Sequence, residues 1–258
     1  MNILQASVLG LIEGLTEFLP ISSTGHLILA VRWLGIAQTE FVKSFEIAIQ
    51  SGAILAVAVM YWETLLKNWE IGKRILTAFV PTAVIGVIFY KFIKSFIFDN
   101  VLVVLCALFV GGIMLIVFER FHREKESDTQ ELTAITYPKA LAIGLFQTIA
   151  VIPGVSRSAA TILGGLALGL KRRTIVEFSF LLALPTLISA TAWDMFKCAP
   201  SFKESDFLLL STGFIISGWV SFLSMRFLLA FVKKHSFRVF GIYRMVLAII
   251  FWFWLGMK

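Results

Sequence analysis

Apolar residues in this chain fall in long unbroken blocks, such as "AILAVAVMYW", "VLVVLCALFVGGIMLIV" and "MVLAIIFWFWLGM". About 18 apolar residues in a row are enough to cross a bilayer as a helix. Six segments meet that length, at roughly 45–62, 75–94, 101–119, 175–196, 206–231 and 239–256. Two further apolar regions are broken. Residues 1–36 are split by Pro20 and the run "SSTG", and residues 137–169 by "PGVSRS". Their halves are too short to span, which predicts two re-entrant helical hairpins. Irregular backbone at membrane depth survives only where protein buries it or a wet cavity receives it.

The two broken regions resemble each other. Shifted by 134 positions, "GLIEGLTEFLPISST" (10–24) lies over "GLFQTIAVIPGVSRS" (144–158). Gly10 meets Gly144, Glu13 meets Gln147, and Ser22 meets Ser156. Each half then reads as one broken hairpin followed by three spans. An odd number of spans starts the second half from the opposite face, so the expected fold is an all-α polytopic membrane protein with an inverted-topology internal repeat. Its single membrane domain, 1–258, divides into repeat one (about 1–118), a polar linker (about 119–136) and repeat two (about 137–258).

Composition agrees with this pattern. Of 258 residues, 59% are hydrophobic and only 15% charged, against about 25% charged in soluble domains. Too few polar side chains remain to coat a soluble core of this size. The formal net charge of +7 reads as loops facing anionic lipid headgroups rather than as a nucleic-acid surface. The start, "MNILQASVLGLIEG", lacks the basic opening of a cleavable signal. Cys106 and Cys198 have neither disulfide-framework nor metal spacing. Basic residues concentrate in the loops holding Lys67, Lys73, Arg74, Arg120, Lys171, Arg172 and Lys234. That places those loops in the cytoplasm and both termini outside.

Ionisable groups inside such a chain are costly, roughly 2.5–3.5 kcal/mol each on insertion scales, so function is their default reading. Glu13 and Glu17 lie four apart on one helical face. Their repulsion asks for something positive between them: Mg²⁺ or Ca²⁺, an arginine or a shared proton. Ser22, Ser23 and Thr24 follow Pro20; at least one is expected to cap the next helix, and Ser22 and Thr24 are expected among the phosphate-binding residues. His26, three after Ser23, makes a nucleophile-and-base pair with it. In the mirror element Arg157 stands between Ser156 and Ser158, at a helix start suited to anions. Its partner is either one of the N-terminal glutamates or a phosphorylated ligand. Glu46 and Gln50 are expected to support the cavity from the first full span, and Pro185 to kink the mirrored one. Asp194 is a weaker candidate, and Arg244 in "GIYRM" has no assigned role. Together these groups fit phosphoanhydride hydrolysis on a lipid, since a soluble phosphate ester needs no site inside a bilayer.

The segments "EGLTEFLPISSTGH", "PGVSRSAAT", "EFSFLLALP" and "IYR" resemble the undecaprenyl-diphosphate phosphatase family of the bacitracin-resistance type, over nearly the whole chain. The resemblance implies hydrolysis of undecaprenyl diphosphate to the monophosphate in the bacterial plasma membrane, recycling the carrier lipid for cell-wall synthesis. It implies catalysis by Glu13 and Glu17, Ser23 as nucleophile beside Ser22 and His26, and phosphate binding by Ser156, Arg157, Ser158 and Thr161. Divalent-metal dependence is implied as well. One departure stands out: Ala159 occupies the place of a family glycine, where a methyl is expected to crowd the phosphate turn or forbid a positive φ. The partners expected are the lipid substrate and membrane lipids, with a homodimer left open and no nucleic acid. Two other readings fit the same pattern, a lipid flippase or ion-coupled transporter and a non-catalytic lipid-binding subunit.

Overall fold

The structure is a computed structural model that describes residues 1–96, 100–198 and 206–256. Eleven α-helices make up the described residues: α1 (Ile3–Thr16), α2 (Ser23–Trp33), α3 (Glu40–Ala48), α4 (Gln50–Lys67), α5 (Trp69–Phe96), α6 (Val101–Phe121), α7 (Tyr137–Thr148), α8 (Arg157–Ala167), α9 (Arg172–Cys198), α10 (Asp206–Phe231) and α11 (Arg238–Gly256). Six stretches are long and apolar enough to cross a membrane: Glu40–Lys67, Trp69–Ile88, Val101–Phe121, Arg172–Trp193, Asp206–Phe231 and Arg238–Gly256. The chain is therefore a multi-pass membrane protein. The Asp194 side chain and Lys203 and Lys258 lie outside the described residues.

Each broken region forms two short helices joined by a turn, α1–α2 and α7–α8. Asn2 and Gln5 start α1 with a reciprocal capping box, and Thr136 caps α7, which carries Pro138 in its first turn. The first full span begins earlier than its apolar run. Thr39 accepts a hydrogen bond from the Val42 amide and starts the helix at Glu40. It then breaks at Ile49, so the expected single span is α3 followed by α4. Pro185 sits inside α9, which continues through it.

Helix packing exchanges partners between the halves. The helix α1 lies on α10, and its counterpart α7 lies on α5; α6 pairs with α11, and α4 with α9. Both hairpin contacts are backbone-close. A methyl at Gly10 would lie 2.7 Å from the Gly213 carbonyl oxygen, and one at Gly144 would run into the Ala78 carbonyl. Small residues admit this approach where lipid supplies no hydrophobic drive between helices. The core sits around the hairpin tips, where the Phe18 and Phe180 rings meet edge to face at 5.1 Å.

The polar linker is docked against the second half. Glu119 is buried and accepts hydrogen bonds from Arg172 (2.7 Å to Nη2) and from the Phe237 amide (3.1 Å). Thr129 exchanges backbone hydrogen bonds with Gly169 and Lys171.

One side chain ties the two turns together. Arg244 of α11 is fully buried and is the largest side chain in that state. Its guanidinium donates to the carbonyls of Pro20 in the first turn, Gly154 and Val155 in the second, and Ala107 and Leu108 of α6, at 2.8–3.3 Å. Gly111 leaves room for it, because a methyl there would overlap the guanidinium. A buried charge is tolerable when its donors are all engaged. Arg244→Met leaves these carbonyls unpaired, at about 1–3 kcal/mol each. The expected result is a loss of at least about 3 kcal/mol, read as a lower unfolding temperature in detergent, and Gly111→Ala shifts it the same way. An unchanged midpoint for both would contradict this role.

Candidate active site

The hairpin turns end in identical caps. Ser22 and Ser156 are the N-caps of α2 and α8, with φ of 73° and 77°, and their hydroxyls accept from the amides of Gly25 and Ala159. They are the only non-glycine residues with positive φ among the described residues. Holding a serine there costs on the order of 1–3 kcal/mol, and such strain concentrates at functional sites. The caps present the first residues of the two helices to each other. That first residue is Ser23 in α2 and Arg157 in α8.

Glu17, just past the end of α1, receives both. The Ser23 hydroxyl donates to its Oε2 at 2.5 Å. Arg157 donates to its Oε1 from Nη2 at 3.2 Å and from Nε at 3.4 Å. The pair is closed off from the surface, with side-chain exposures of 10% for Arg157 and 6% for Glu17. Arg157 also donates from Nη1 to the Ser179 carbonyl at 2.9 Å. Thr161 donates to the carbonyls of Arg157 and Ser158 and meets the Ser179 hydroxyl at 2.7 Å. Ser158 bonds the Leu19 carbonyl at 2.8 Å, tying the second cap to the first turn.

Glu13 lies one turn before Glu17 on α1 and is fully buried. Neither of its carboxyl oxygens has a hydrogen-bond partner among the described residues, nor has Oε1 of Glu46. Glu17, Glu46 and Arg157 are the charged groups that act on Glu13, and the Glu17 carboxyl lies close enough to share a proton with it. Three carboxylates, Glu13, Glu17 and Glu46, thus share this region with one guanidinium, Arg157, since Arg244 is committed to carbonyls. An anionic head could not settle there without more positive charge. Oxygen donors lacking partners suit a hard divalent cation. No cluster of three or more His, Cys, Asp or Glu at metal-binding separation occurs among the described residues.

Residues 6–250 match the family described as Bacitracin resistance protein BacA. The chain belongs to the BacA family. Its similarity to individual members is high. The undecaprenyl-diphosphatase of Aquifex aeolicus is 49% identical over 247 residues, 96% of either chain. The protein of that name from Sulfurihydrogenibium sp. is 48% identical over 98% of this chain and 100% of its own. That from Wolinella succinogenes is 45% identical over 100% of both.

With the BacA-family assignment in hand, the expected residues can be sorted by where they sit. Glu17, Ser23 and Arg157 meet directly, with Ser22, Ser156, Ser158 and Thr161 forming the frame around them. His26 does not face Ser23. Its Nδ1 lies 2.7 Å from the Ser22 carbonyl and its Nε2 2.9 Å from the Tyr243 hydroxyl, so both ring nitrogens are taken and Ser23 turns to Glu17 instead. Thr24 and Gln50 are half-buried, and no side-chain hydrogen bond joins either to this group among the described residues. Tyr243 and Ser179 had no assigned part. Their signal was a polar group in an otherwise apolar run, which does not name its partner.

Ala159 does not disturb the turn. It lies in the first turn of α8, and the positive φ angles fall on Gly154 and Ser156. At the equivalent Gly25 an added methyl would be 3.3 Å from the Ser22 hydroxyl, a snug fit rather than a clash. Ala159→Gly is therefore expected to lower stability by about 1 kcal/mol, the helix-propensity difference. Thermal unfolding in detergent checks this, and a stabilised variant would mean that the methyl strains the cap.

Proposed function

We propose that this chain hydrolyses undecaprenyl diphosphate to undecaprenyl phosphate and inorganic phosphate in the bacterial plasma membrane. The observation that carries the proposal is Glu17 accepting the Ser23 proton on one oxygen while Arg157, 140 residues away, holds the other. A carboxylate on a serine hydroxyl is an activated nucleophile. A guanidinium beside it is a bidentate site for a phosphoryl group. The name of the relatives supplies the substrate, and its long apolar tail explains why the site is built among membrane helices. The transport alternative finds no support in those relatives.

The diphosphate head enters between the two caps, and Arg157 swings from Glu17 to the terminal phosphate. Glu17 takes the proton of Ser23 as its Oγ bonds to the terminal phosphorus. The bond from that phosphorus to the bridging oxygen breaks, and undecaprenyl phosphate leaves with the electron pair. Glu17 hands that proton to the departing undecaprenyl phosphate, then takes a proton from the water that attacks the phosphoserine and delivers it to Oγ as the P–Oγ bond breaks, releasing phosphate and restoring Ser23. The amide ends of α2 and α8 face the developing charge. His26 keeps the Ser22 turn in place through its two hydrogen bonds and takes no proton. A divalent cation, Mg²⁺ or Ca²⁺, held by Glu13 and Glu17 and completed by phosphate oxygens, would supply the remaining positive charge.

The same reading makes the hairpins re-entrant and the halves inverted, in keeping with the exchanged packing of α1 on α10 and α7 on α5. The excess of basic loops puts the termini outside and the hairpin mouth toward the outer face. There the enzyme removes the diphosphate lipid that bacitracin sequesters, which accounts for resistance.

Purified protein in detergent is expected to release phosphate from undecaprenyl diphosphate with no gradient, to stop with chelator and to recover with Mg²⁺ or Ca²⁺. No release under these conditions would refute the reaction, and release indifferent to chelator would remove the cation from it. Glu17→Ala and Ser23→Ala are expected to lower kcat by at least about 10³-fold. If Ser23→Ala keeps most of the rate, water rather than serine makes the attack. Arg157→Lys is expected to cost roughly 10- to 100-fold, because a point charge cannot replace the planar fork.

A further inference from the structure

We infer that Ser217 of α10 is a positioning residue of this site, donating a hydrogen bond to the Glu13 carboxylate. The inference rests on the hydrolytic reading above. Two observations lead to it. The first is a set of unmatched groups: Glu13 is fully buried and no hydroxyl or N–H reaches its carboxyl oxygens, and on α10 the buried hydroxyls of Ser217, Ser221 and Ser224 have no partner among the described residues, Ser217 being the one at the level of Glu13. A carboxylate only accepts, and a serine hydroxyl can turn to donate. They lie on facing stripes of one helix pair. A methyl at Gly10 would meet Gly213, and one at Gly14 would lie 2.8 Å from the Ser217 carbonyl oxygen. The helices therefore run in the same direction, and Glu13, between those two glycines on the same stripe, stands at the level of Ser217.

The second observation is the other half of the molecule, where the same pair is satisfied. Gln147 occupies the place of Glu13, and its Nε2 donates to the Thr82 hydroxyl of α5 at 2.7 Å. Helices α5 and α10 align through "AFVPTA" (78–83) and "GFIISG" (213–218), which puts Ser217 in the place of Thr82. The glycine contacts obey the same register, Gly144 on Ala78 and Gly10 on Gly213. Where the amide stands, it donates to threonine, and where the carboxylate stands, the hydroxyl must donate to it. Ser217 fixes one oxygen of Glu13 and leaves the other for the Glu17 side of the site.

The test compares Ser217→Ala and Ser217→Thr with wild type for phosphate release from undecaprenyl diphosphate, alongside thermal unfolding. Ser217→Ala is expected to lower kcat roughly 10- to 100-fold, as for a lost hydrogen bond to a charged group, with KM within about twofold. Ser217→Thr, which copies Thr82, is expected to restore kcat to within about threefold. Both unfold within a few degrees of wild type. A kcat within twofold for Ser217→Ala, a loss that Ser217→Thr shares, or a loss that follows a lowered unfolding midpoint would each overturn the assignment. Failure of wild type to release phosphate would refute the reaction itself, whereas an active wild type with an indifferent Ser217→Ala refutes only the positioning role.

Discussion

The contact between Glu17 and Arg157 is the constraint on which the rest of the molecule turns. Neither group is tolerable buried alone: an ionised side chain taken out of water costs several kcal/mol unless it is paired. The pair forms only if the turns after α1 and α7 meet tip to tip. That meeting demands strained caps at Ser22 and Ser156, the Ser158 bond to Leu19 and a second arginine beneath. Arg244 satisfies the carbonyls that the turns leave unpaired, in an environment with no water to do so. The packing of the hairpins thus exists to hold two short helix starts around one carboxylate.

The two broken regions are alike in backbone and unlike in chemistry. Backbone features recur at matched positions: the serine caps, the glycine contacts and the exchanged helix partners. The chemistry does not recur. Ser23 faces Arg157 at the first position of its helix, Glu17 matches Val151, and Glu13 matches Gln147. One half contributes the carboxylate and the serine bonded to it, the other the guanidinium that meets them. A symmetric pair would place like charges together, so divergence at those few positions is what a working site requires.

Much of this was legible from the chain. The six spans follow from uninterrupted apolar runs, because lipid demands it. The breaks between α1 and α2 and between α7 and α8 follow from Pro20 and the Pro153–Gly154 pair, which interrupt a helix. That Arg157 needs an anionic partner follows from the cost of leaving it unpaired; that the partner is Glu17 and not Glu13 does not. What stayed hidden depends on three-dimensional neighbours. His26 reads as a base for Ser23 because of spacing, yet Tyr243, far along the chain, takes its Nε2. Arg244 has no legible role in the sequence, because its partners are backbone carbonyls that carry no letter. The break at Ile49 and the docking of Glu119 depend likewise on local caps and distant amides.

The central claim is tested most directly by an experimental structure of the protein with a non-hydrolysable methylene-bisphosphonate analogue of the lipid. The account predicts the terminal phosphonate between the α2 and α8 caps, with Arg157 bonded to its oxygens and the Ser23 hydroxyl in line with its phosphorus. A head group bound elsewhere, with Glu17 and Arg157 still locked to each other, would contradict it.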